Sequence, residues 1–451
     1  MLRSGCTDVI GIEPLGIGQA GTLRCHDWST LIATNPPDVA ACAAAADFAR
    51  EDLACLIYTS GTGGSPRGVR QHHGAILHNA AGAMAIIRDD FPPEDEIFLS
   101  FLPMSHSYEH SAGLYLPIGL GAEIYYAEGL EKLGANIEEV RPTIMIVVPR
   151  LFELLRARIM KGIEKQGRFP LWLLARALEI DVRPKRLIDR PLDLLLDRTI
   201  RKSVCKRFGG RMKALVSGGA PLNPDVGGFF RALGLTLLQG YGQTESGPIV
   251  SVNRPRAGVT MDSVGPPLAD TEVRIAEDGE ILVRGENVMH GYWENEAESA
   301  RVLIDGWLHT GDIGLIDAGG RIHITDRKKD LIVNDKGDNI SPQRVEGILM
   351  LEREIAQAMV VGDRRPYLVG LIVPDQEWKA SLPEGTDIHR AVLAAVDRVN
   401  AGLSVIEKVR RVLIADEPFT IENGALTPSL KVRRHVLRER YGERLDGLYG
   451  R

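Results

Sequence analysis

LACLIYTSGTGGSPRGVRQHHGAILHNAAGAMAIIR, residues 53–88, decides how the chain is to be read. An apolar run short enough for a strand (53–58) gives way to a turn rich in glycine and hydroxyl groups, and helical periodicity follows over 71–88. Strand, small-residue loop and helix in that order open an α/β unit. The alternation continues downstream. IFLSFL (97–102), TIMIVV (143–148), KALVS (213–217) and LTLLQ (235–239) are further short apolar runs, and helical patterns occupy 151–165 and 223–233. Strands buried on both faces look like this, so a parallel sheet covered by helices is expected.

Residues 160–207 are long, helical and rich in Arg and Leu, and read as a helical insertion on that sheet. From 263 the texture changes to short alternating runs punctuated by Gly and Pro, the pattern of a small β-rich subdomain over 263–326. The charge cluster DRKKD (326–330) separates it from a tail with helices expected at 342–350, 387–400 and after Pro428, and strands at 355–361, 367–373 and 409–414. The tail, 327–451, has the size and pattern of a small α+β domain.

Composition narrows the field. The chain has 451 residues, 44% of them hydrophobic and 25% charged, with a formal net charge of −6, which is ordinary for a soluble globular protein and argues against a general nucleic-acid binder. No stretch approaches the ~20 apolar residues of a spanning helix, and MLRSGCTDVIGIEPLG at the start lacks the apolar core of a signal peptide. The five cysteines (Cys6, Cys25, Cys42, Cys55, Cys205) form no CxxC pair, as suits a reducing compartment. The expected location is the cytoplasm, with peripheral contact at the inner face of the membrane left open. Oligomeric state is not legible.

Three segments could carry chemistry. In YTSGTGGSPRGV (58–69), Gly61, Gly63, Gly64 and Gly68 let backbone N–H groups approach an anion, Thr59, Ser60, Thr62 and Ser65 add hydroxyls, and Arg67 adds positive charge. A polyphosphate would be well served, although no Gly-Lys-Ser/Thr closes the loop as in a Walker A sequence. In LLQGYGQTES (237–246), at the carboxyl end of a strand, Tyr241 offers an aromatic face, Thr244 a hydroxyl and Glu245 a hard oxygen ligand suited to Mg²⁺. SGGAPL (217–222), just before it, gives a small-residue turn against which a flat ring could pack. In WLHTGD (307–312) and GRIHITDRKKD (320–330), Asp312 could accept from two neighbouring hydroxyls and Arg327 could donate to phosphate or hydroxyl oxygens. Taken singly, each has a plainer reading: a flexible surface loop, a solvated glutamate, an aspartate in a glycine turn, an arginine in a basic run.

Taken together and in this order, the segments resemble the acyl- and aryl-adenylating superfamily of acyl-CoA synthetases, luciferases and peptide-synthetase adenylation domains. The resemblance runs from about residue 50 to about 440. Within that superfamily the chain is most similar to bacterial long-chain fatty-acid–CoA ligases, on FLPMSHSYEH (101–110), the helical insertion, DRKKDLIV (326–333) and the ending ENGALTPSLKVRR (422–434). The implied fold is α/β: a large amino-terminal adenylation domain (1–326) of stacked α/β sheets with the β-rich subdomain, then a small mobile α+β carboxyl-terminal domain (327–451).

The resemblance implies roles residue by residue. Thr59, Ser60, Gly61, Thr62, Gly63, Gly64, Arg67 and Gly68 would cradle the β- and γ-phosphates of ATP. Thr244 would contact the α-phosphate and Glu245 would hold Mg²⁺; Gly219, Ala220 and Tyr241 would form the adenine slot; Asp312 would take the ribose hydroxyls with Arg327 beside it. His106, read as a residue at a strand end, would lie near the carboxylate and phosphates. Lys431 would bridge the substrate carboxylate and the α-phosphate, although without the resemblance it reads as one of several bases, with Arg433 and Arg434, on a solvated helix. Lys329 matches the hinge about which the small domain turns between half-reactions, and DKGDN (335–339) would line the CoA entry.

The implied activity is ATP-dependent conversion of a medium- or long-chain fatty acid to acyl-AMP and then, with CoA as co-substrate, to acyl-CoA. Two other readings stand beside it: a fatty acyl-AMP ligase loading a carrier protein, and a truncated remnant that binds without turnover. The phosphate loop departs from the family in having Gly63 where a second Thr is common and Arg67 where Lys is common. Only 57 residues precede Tyr58, so the amino terminus reads as shortened.

Overall fold

The computed structural model describes residues 8–11, 24–34, 38–59, 66–181, 189–383, 385–427 and 431–450. They fall into two compact units, 1–52 and 53–451. In the first, strand Asp8–Gly11 pairs in parallel with Arg24–Asp27, and two short helices follow, Trp28–Thr34 and Val39–Ala45. Everything below concerns the second.

Its centre is a six-stranded sheet in the order Ile249–Val252, Leu237–Gly242, Ala214–Ser217, Ile144–Val147, Ile97–Ser100, Glu123–Tyr126. All neighbours are parallel except the edge strand Ile249–Val252. The expected apolar runs form four of these strands, and IMIV (144–147) is buried at all four positions, as a strand covered on both faces must be. The chain leaves Ile97–Ser100 for the edge strand on one side and returns to Ile144–Val147 on the other. Strand order therefore reverses between these two, and open α/β sheets place their ligands in the crevice at the carboxyl ends of such a pair.

Helices cover the sheet. Pro149–Lys165 starts on a proline whose missing N–H costs a helix nothing at its first turn, and buries Leu151, Phe152, Ile159 and Ile163. Phe152 and Phe229 pack edge-to-face on Phe230, and these rings sit in a large apolar cluster shared with the insertion. The expected helical insertion is present as Arg168–Asp181, Arg190–Leu196, a π-helical turn Asp197–Arg201 and Lys202–Arg207.

One expectation is corrected. Leu53–Thr59 does not join the parallel sheet and its loop does not lead into a helix. The strand pairs antiparallel with Arg67–His72 as a hairpin, and the helix begins only at His73. RGVRQH shows little apolar pattern, yet Val69, Gln71 and His72 are buried, because the Gln71 amide donates to Thr244 O (2.9 Å) and His72 Nε2 lies 3.2 Å from Val288 O. Hydrogen bonding substitutes there for hydrophobicity.

The β-rich region is a sheet of Glu272–Ile275, Glu280–Arg284, Trp307–Ile316 and Leu303–Ile304, with Ile322–Arg327 paired to the long strand. In that last ladder Asp312 faces Arg327 and Ile313 faces Asp326, but Gly314 faces Ile324. Thr325 is thus an extra, bulged residue, and it puts Arg327 on the same face as Ile324 and Ile322. The carboxyl-terminal part is a three-stranded sheet (Ile355–Val361, Leu368–Pro374, Val409–Ile414) with helices Pro342–Leu349, Ile388–Asn400 and Arg434–Gly447. Ser341 and Asp387 cap the first two by accepting the N–H three residues on, the fit of such residues to a helix start.

Candidate active site at the sheet's switch point

The crevice predicted by strand order holds a small pocket, lined by Leu102, Pro103, His106 and Tyr108 after the first strand of the switch, Val148 after the second, Gly219 after the third, and Lys431 from the carboxyl-terminal part. Gly219 has φ +81°, a left-handed conformation that suits glycine, and a Cβ there would meet nothing within 4 Å, so the turn leaves open space. Its neighbour Gly218 packs on the Tyr108 ring, where a Cβ would come within 2.8 Å, and Tyr108 is fixed by donating to Val216 O (2.8 Å). Ala220 follows on the exposed side.

His106 is not simply a residue at a strand end. It caps the helical segment that begins at Ser107, its Nδ1 accepting the Tyr108 N–H at 3.2 Å. Burial, and then the Lys431 ammonium, lower its pKa to about 4, so the ring is neutral at physiological pH. Lys431 lies on the wall of an open cleft where solvent reaches it, yet protein crowds the ammonium. Desolvation is the largest influence and lowers its pKa; Arg327 acts the same way, while Asp312, Asp330 and Glu245 oppose both.

Asp312 lies directly opposite Arg327 in the ladder, with Arg327 Nε 3.3 Å from Oδ1, and Tyr241 donates its hydroxyl to Oδ2 at 2.8 Å. Burial raises the Asp312 pKa, and Arg327 and the Tyr241 bond hold it down. Tyr241 is buried, its ring packed with Val69, Val250 and Ile281, so the hydroxyl rather than an open aromatic face is what it presents.

From His106 a chain of contacts runs along the crevice. Ser107 Oγ lies 2.9 Å from Thr244 Oγ1. Glu245, in the same 3₁₀ turn (Thr244–Ser246), accepts from the Tyr292 hydroxyl at 2.9 Å. The Arg67 guanidinium stands 4.9 Å over the Tyr292 ring. Tyr292 occupies one oxygen of Glu245 only, and a single nearly buried carboxylate oxygen fits a Mg²⁺ ion that takes its other ligands from water and phosphate.

The phosphate loop is placed only at its ends. Ser60, Gly61, Thr62, Gly63, Gly64 and Ser65 lie outside the described residues. Thr59 Oγ1 is buried with no partner among the described residues. Gly68 packs against the Tyr58 ring and Trp293 Cβ, where a Cβ would come within 3.1–3.2 Å. Arg67, expected to offer its charge to phosphate, is instead ion-paired with Glu298 at 2.6 Å; as the first residue of a strand it projects across the hairpin to the helix Glu296–Val302. The putting together of His106, Gly219, Thr244, Glu245, Tyr241, Asp312, Arg327 and Lys431 was expected. The supporting partners Gln71, Ser107, Tyr108, Tyr292 and Glu298 were not, and nothing local in the sequence marks them, since their contacts span 47 to 231 residues.

Beside the pocket sits Glu109, 1% exposed. Ser100 donates to its Oε1 (2.5 Å), and Oε2 has no partner among the described residues. Burial pushes its carboxyl up to about 7, against the Ser100 bond.

A fold and site of this kind define a nucleotide-dependent, carboxylate-activating α/β enzyme. The AMP-binding enzyme family model matches residues 20–293, and that of the AMP-binding enzyme C-terminal domain matches 329–451; the chain belongs to this family. It is 32% identical over 424 residues to long-chain-fatty-acid–CoA ligase FadD15 of Mycobacterium tuberculosis, covering 89% of this chain and 70% of that one. To human long-chain-fatty-acid–CoA ligase 6 it is 32% identical over 434 residues, covering 88% and 61%. Among solved structures it is similar in fold to the A domain of carboxylic acid reductase from Segniliparus rugosus in complex with AMP and a co-purified carboxylic acid, with TM-score 0.73, 23% identity, and coverage of 95% of this chain and 66% of that one. The chain thus spans between about three fifths and seven tenths of the length of these three proteins.

Proposed function

We propose that this enzyme joins a long-chain fatty acid to CoA in two half-reactions at the one pocket. In the first, a carboxylate oxygen attacks the α-phosphorus of ATP and the bond to pyrophosphate breaks. In the second, the CoA sulfur attacks the acyl carbon, the thiol proton passes to solvent, and AMP leaves. The observation that carries the reading is the meeting of Lys431, from the carboxyl-terminal part, with His106 and Gly219 at the switch point of the sheet.

In this reading Asp312 and Tyr241 hold the ribose hydroxyls, and Thr244 donates to the α-phosphate. Lys431 lies where negative charge moves from carboxylate to phosphate, and an ammonium already surrounded by protein needs little reorganisation to stabilise it. His106, neutral, lies beside the reacting oxygens without repelling Lys431. Mg²⁺, held by Glu245, would neutralise phosphate charge. The remaining residues 59–68 cradle the outer phosphates, with Arg67 acting through its grip on Glu298 and Tyr292.

The division at residues 326 and 327, with Lys329 as hinge, belongs to the same proposal. Lys329 lies in the turn closed by the Asp330 N–H donating to Arg327 O (2.9 Å), and Lys431 would withdraw as the tail rotates for the second step. Gly337 (φ +87°) turns the DKGDN segment proposed for CoA entry.

The test is pyrophosphate release from MgATP across acids of increasing length, with and without CoA. Release that depends on a long-chain acid and yields acyl-CoA when CoA is present is expected. Release with no thioester on free CoA would overturn CoA as acceptor, and ATP binding without release would overturn turnover.

A further inference from the structure

Tyr292 is tied to the segments around it at several points. Its N–H donates to Ser299 Oγ at 2.8 Å, it forms an antiparallel bridge with Val69, and its ring packs in the apolar cluster with Val69, Val250 and Leu308. The Arg67 guanidinium, 4.9 Å above that ring, is held there by Glu298 at 2.6 Å. A cation on the face of a phenol draws electron density toward itself and leaves the O–H a stronger donor. Burial and then the Glu245 carboxylate raise the Tyr292 pKa, so the phenol keeps its proton at physiological pH.

This one segment grips Glu245 twice. The backbone carbonyl of Glu245 accepts from the Met289 N–H at 2.9 Å, and its Oε1 accepts from the Tyr292 hydroxyl at 2.9 Å. The carboxylate cannot turn about its last bond without breaking a charge-assisted hydrogen bond, and Oε2 accepts none among the described residues. The other carboxylates along the crevice are already engaged, Glu298 by Arg67 and Asp312 by Arg327 and Tyr241.

We propose that Tyr292 is the positioning residue that makes Glu245 a one-oxygen ligand, and that it thereby selects Mg²⁺ over Ca²⁺ as the ion that enters with ATP. Mg²⁺ takes about six oxygens in a near-regular octahedron and keeps water at several positions, so one fixed carboxylate oxygen suits it, whereas Ca²⁺ takes roughly six to eight in a looser shell and readily uses both oxygens of a carboxylate. The phenol proton stands where that second contact would form. The proposal rests on Glu245 as the Mg²⁺ ligand of the reading above and adds what fixes the identity of the ion.

The experiment titrates the full chain, without fatty acid, with MgATP, CaATP and AMP by calorimetry. The parent should bind MgATP at least about tenfold more tightly than CaATP. Tyr292→Phe keeps the ring under Arg67 and removes only the hydroxyl; it should weaken MgATP about tenfold, leave CaATP unchanged or tighter, and leave AMP, which brings no metal, unchanged. Glu245→Gln should weaken both metal complexes. A parent that binds the two complexes equally, a ratio that Tyr292→Phe does not change, or a loss of AMP binding as large as the loss of MgATP would overturn the proposal, the last by showing a merely structural role. If Glu245→Gln binds both metal complexes as the parent does, Glu245 is not the ligand and the proposal falls with that assignment. None of these readouts needs turnover, so a parent that releases no pyrophosphate refutes the ligase reading alone.

Discussion

Glu109→Gln should make the protein more stable, and increasingly so as pH rises. The carboxyl is shut between the strand Ile97–Ser100 and the helical segment after it, with one oxygen held by Ser100 and the other without a partner among the described residues. Its pKa stands at about 7 in the folded protein against an ordinary 4.5. Below pH 4.5 the group is protonated whether the chain is folded or not, and nothing is lost. As pH rises, the unfolded chain gives up the proton first while the folded chain keeps it until about pH 7, so stability falls through that window and then levels. The full cost is about 3 kcal/mol, of which about 2.5 kcal/mol accrues between about pH 5 and about pH 8. Glutamine keeps the length and an acceptor for Ser100 but does not ionise. At about 1 °C per kcal/mol for the unit 53–451, the melting-temperature gap between variant and parent should widen by roughly 3 °C over that range. Dye-monitored melting at several pH values reads it. A gap that stays constant with pH would refute the assignment of a strained, ionising carboxylate at this position.

Lys431→Ala should reduce acyl-AMP formation, followed by pyrophosphate exchange, by about 10²–10³-fold while sparing thioester formation from supplied acyl-AMP; equal loss of both steps would remove its proposed role. Tyr241→Phe deletes a 2.8 Å bond to a buried carboxylate and should raise the KM for ATP about tenfold, as read from initial rates over a range of ATP concentrations. Arg150→Ala removes the donor to Ala356 O (3.0 Å), one of the ties between the helix Pro149–Lys165 and the carboxyl-terminal part. It should slow the first half-reaction about fivefold to tenfold and leave the second unchanged in separate half-reaction assays.

The parallel sheet was legible because its strands are buried on both faces, and IMIV at 144–147 can be little else. Gly242 illustrates what was half legible. The apolar run was read as ending at Gln239, but the strand continues through Gly242, where the antiparallel edge strand approaches so closely that a Cβ would fall 1.8 Å from Pro248 O. The hairpin strand Arg67–His72 was not legible at all, since Gln71 and His72 are buried by hydrogen bonds to residues some 170 and 216 positions away. The site was legible as a set of residue types in order, and its geometry was not. That Arg67 spends its charge on Glu298 depends on a helix 231 residues further along the chain.

The bulge at Thr325 means that two tasks of one strand are kept in separate phases. Ile322 and Ile324 count toward the core before it, and Arg327 counts toward Asp312 after it. Pairing Thr325 in a regular ladder would leave the first count intact and invert the second, putting Asp326 opposite Asp312 and turning Arg327 outward. Deleting Thr325, by contrast, would remove the bulge and keep Arg327 opposite Asp312. In this hairpin a single unpaired backbone unit lets one strand serve the core at even-numbered positions and the nucleotide face at an odd-numbered one.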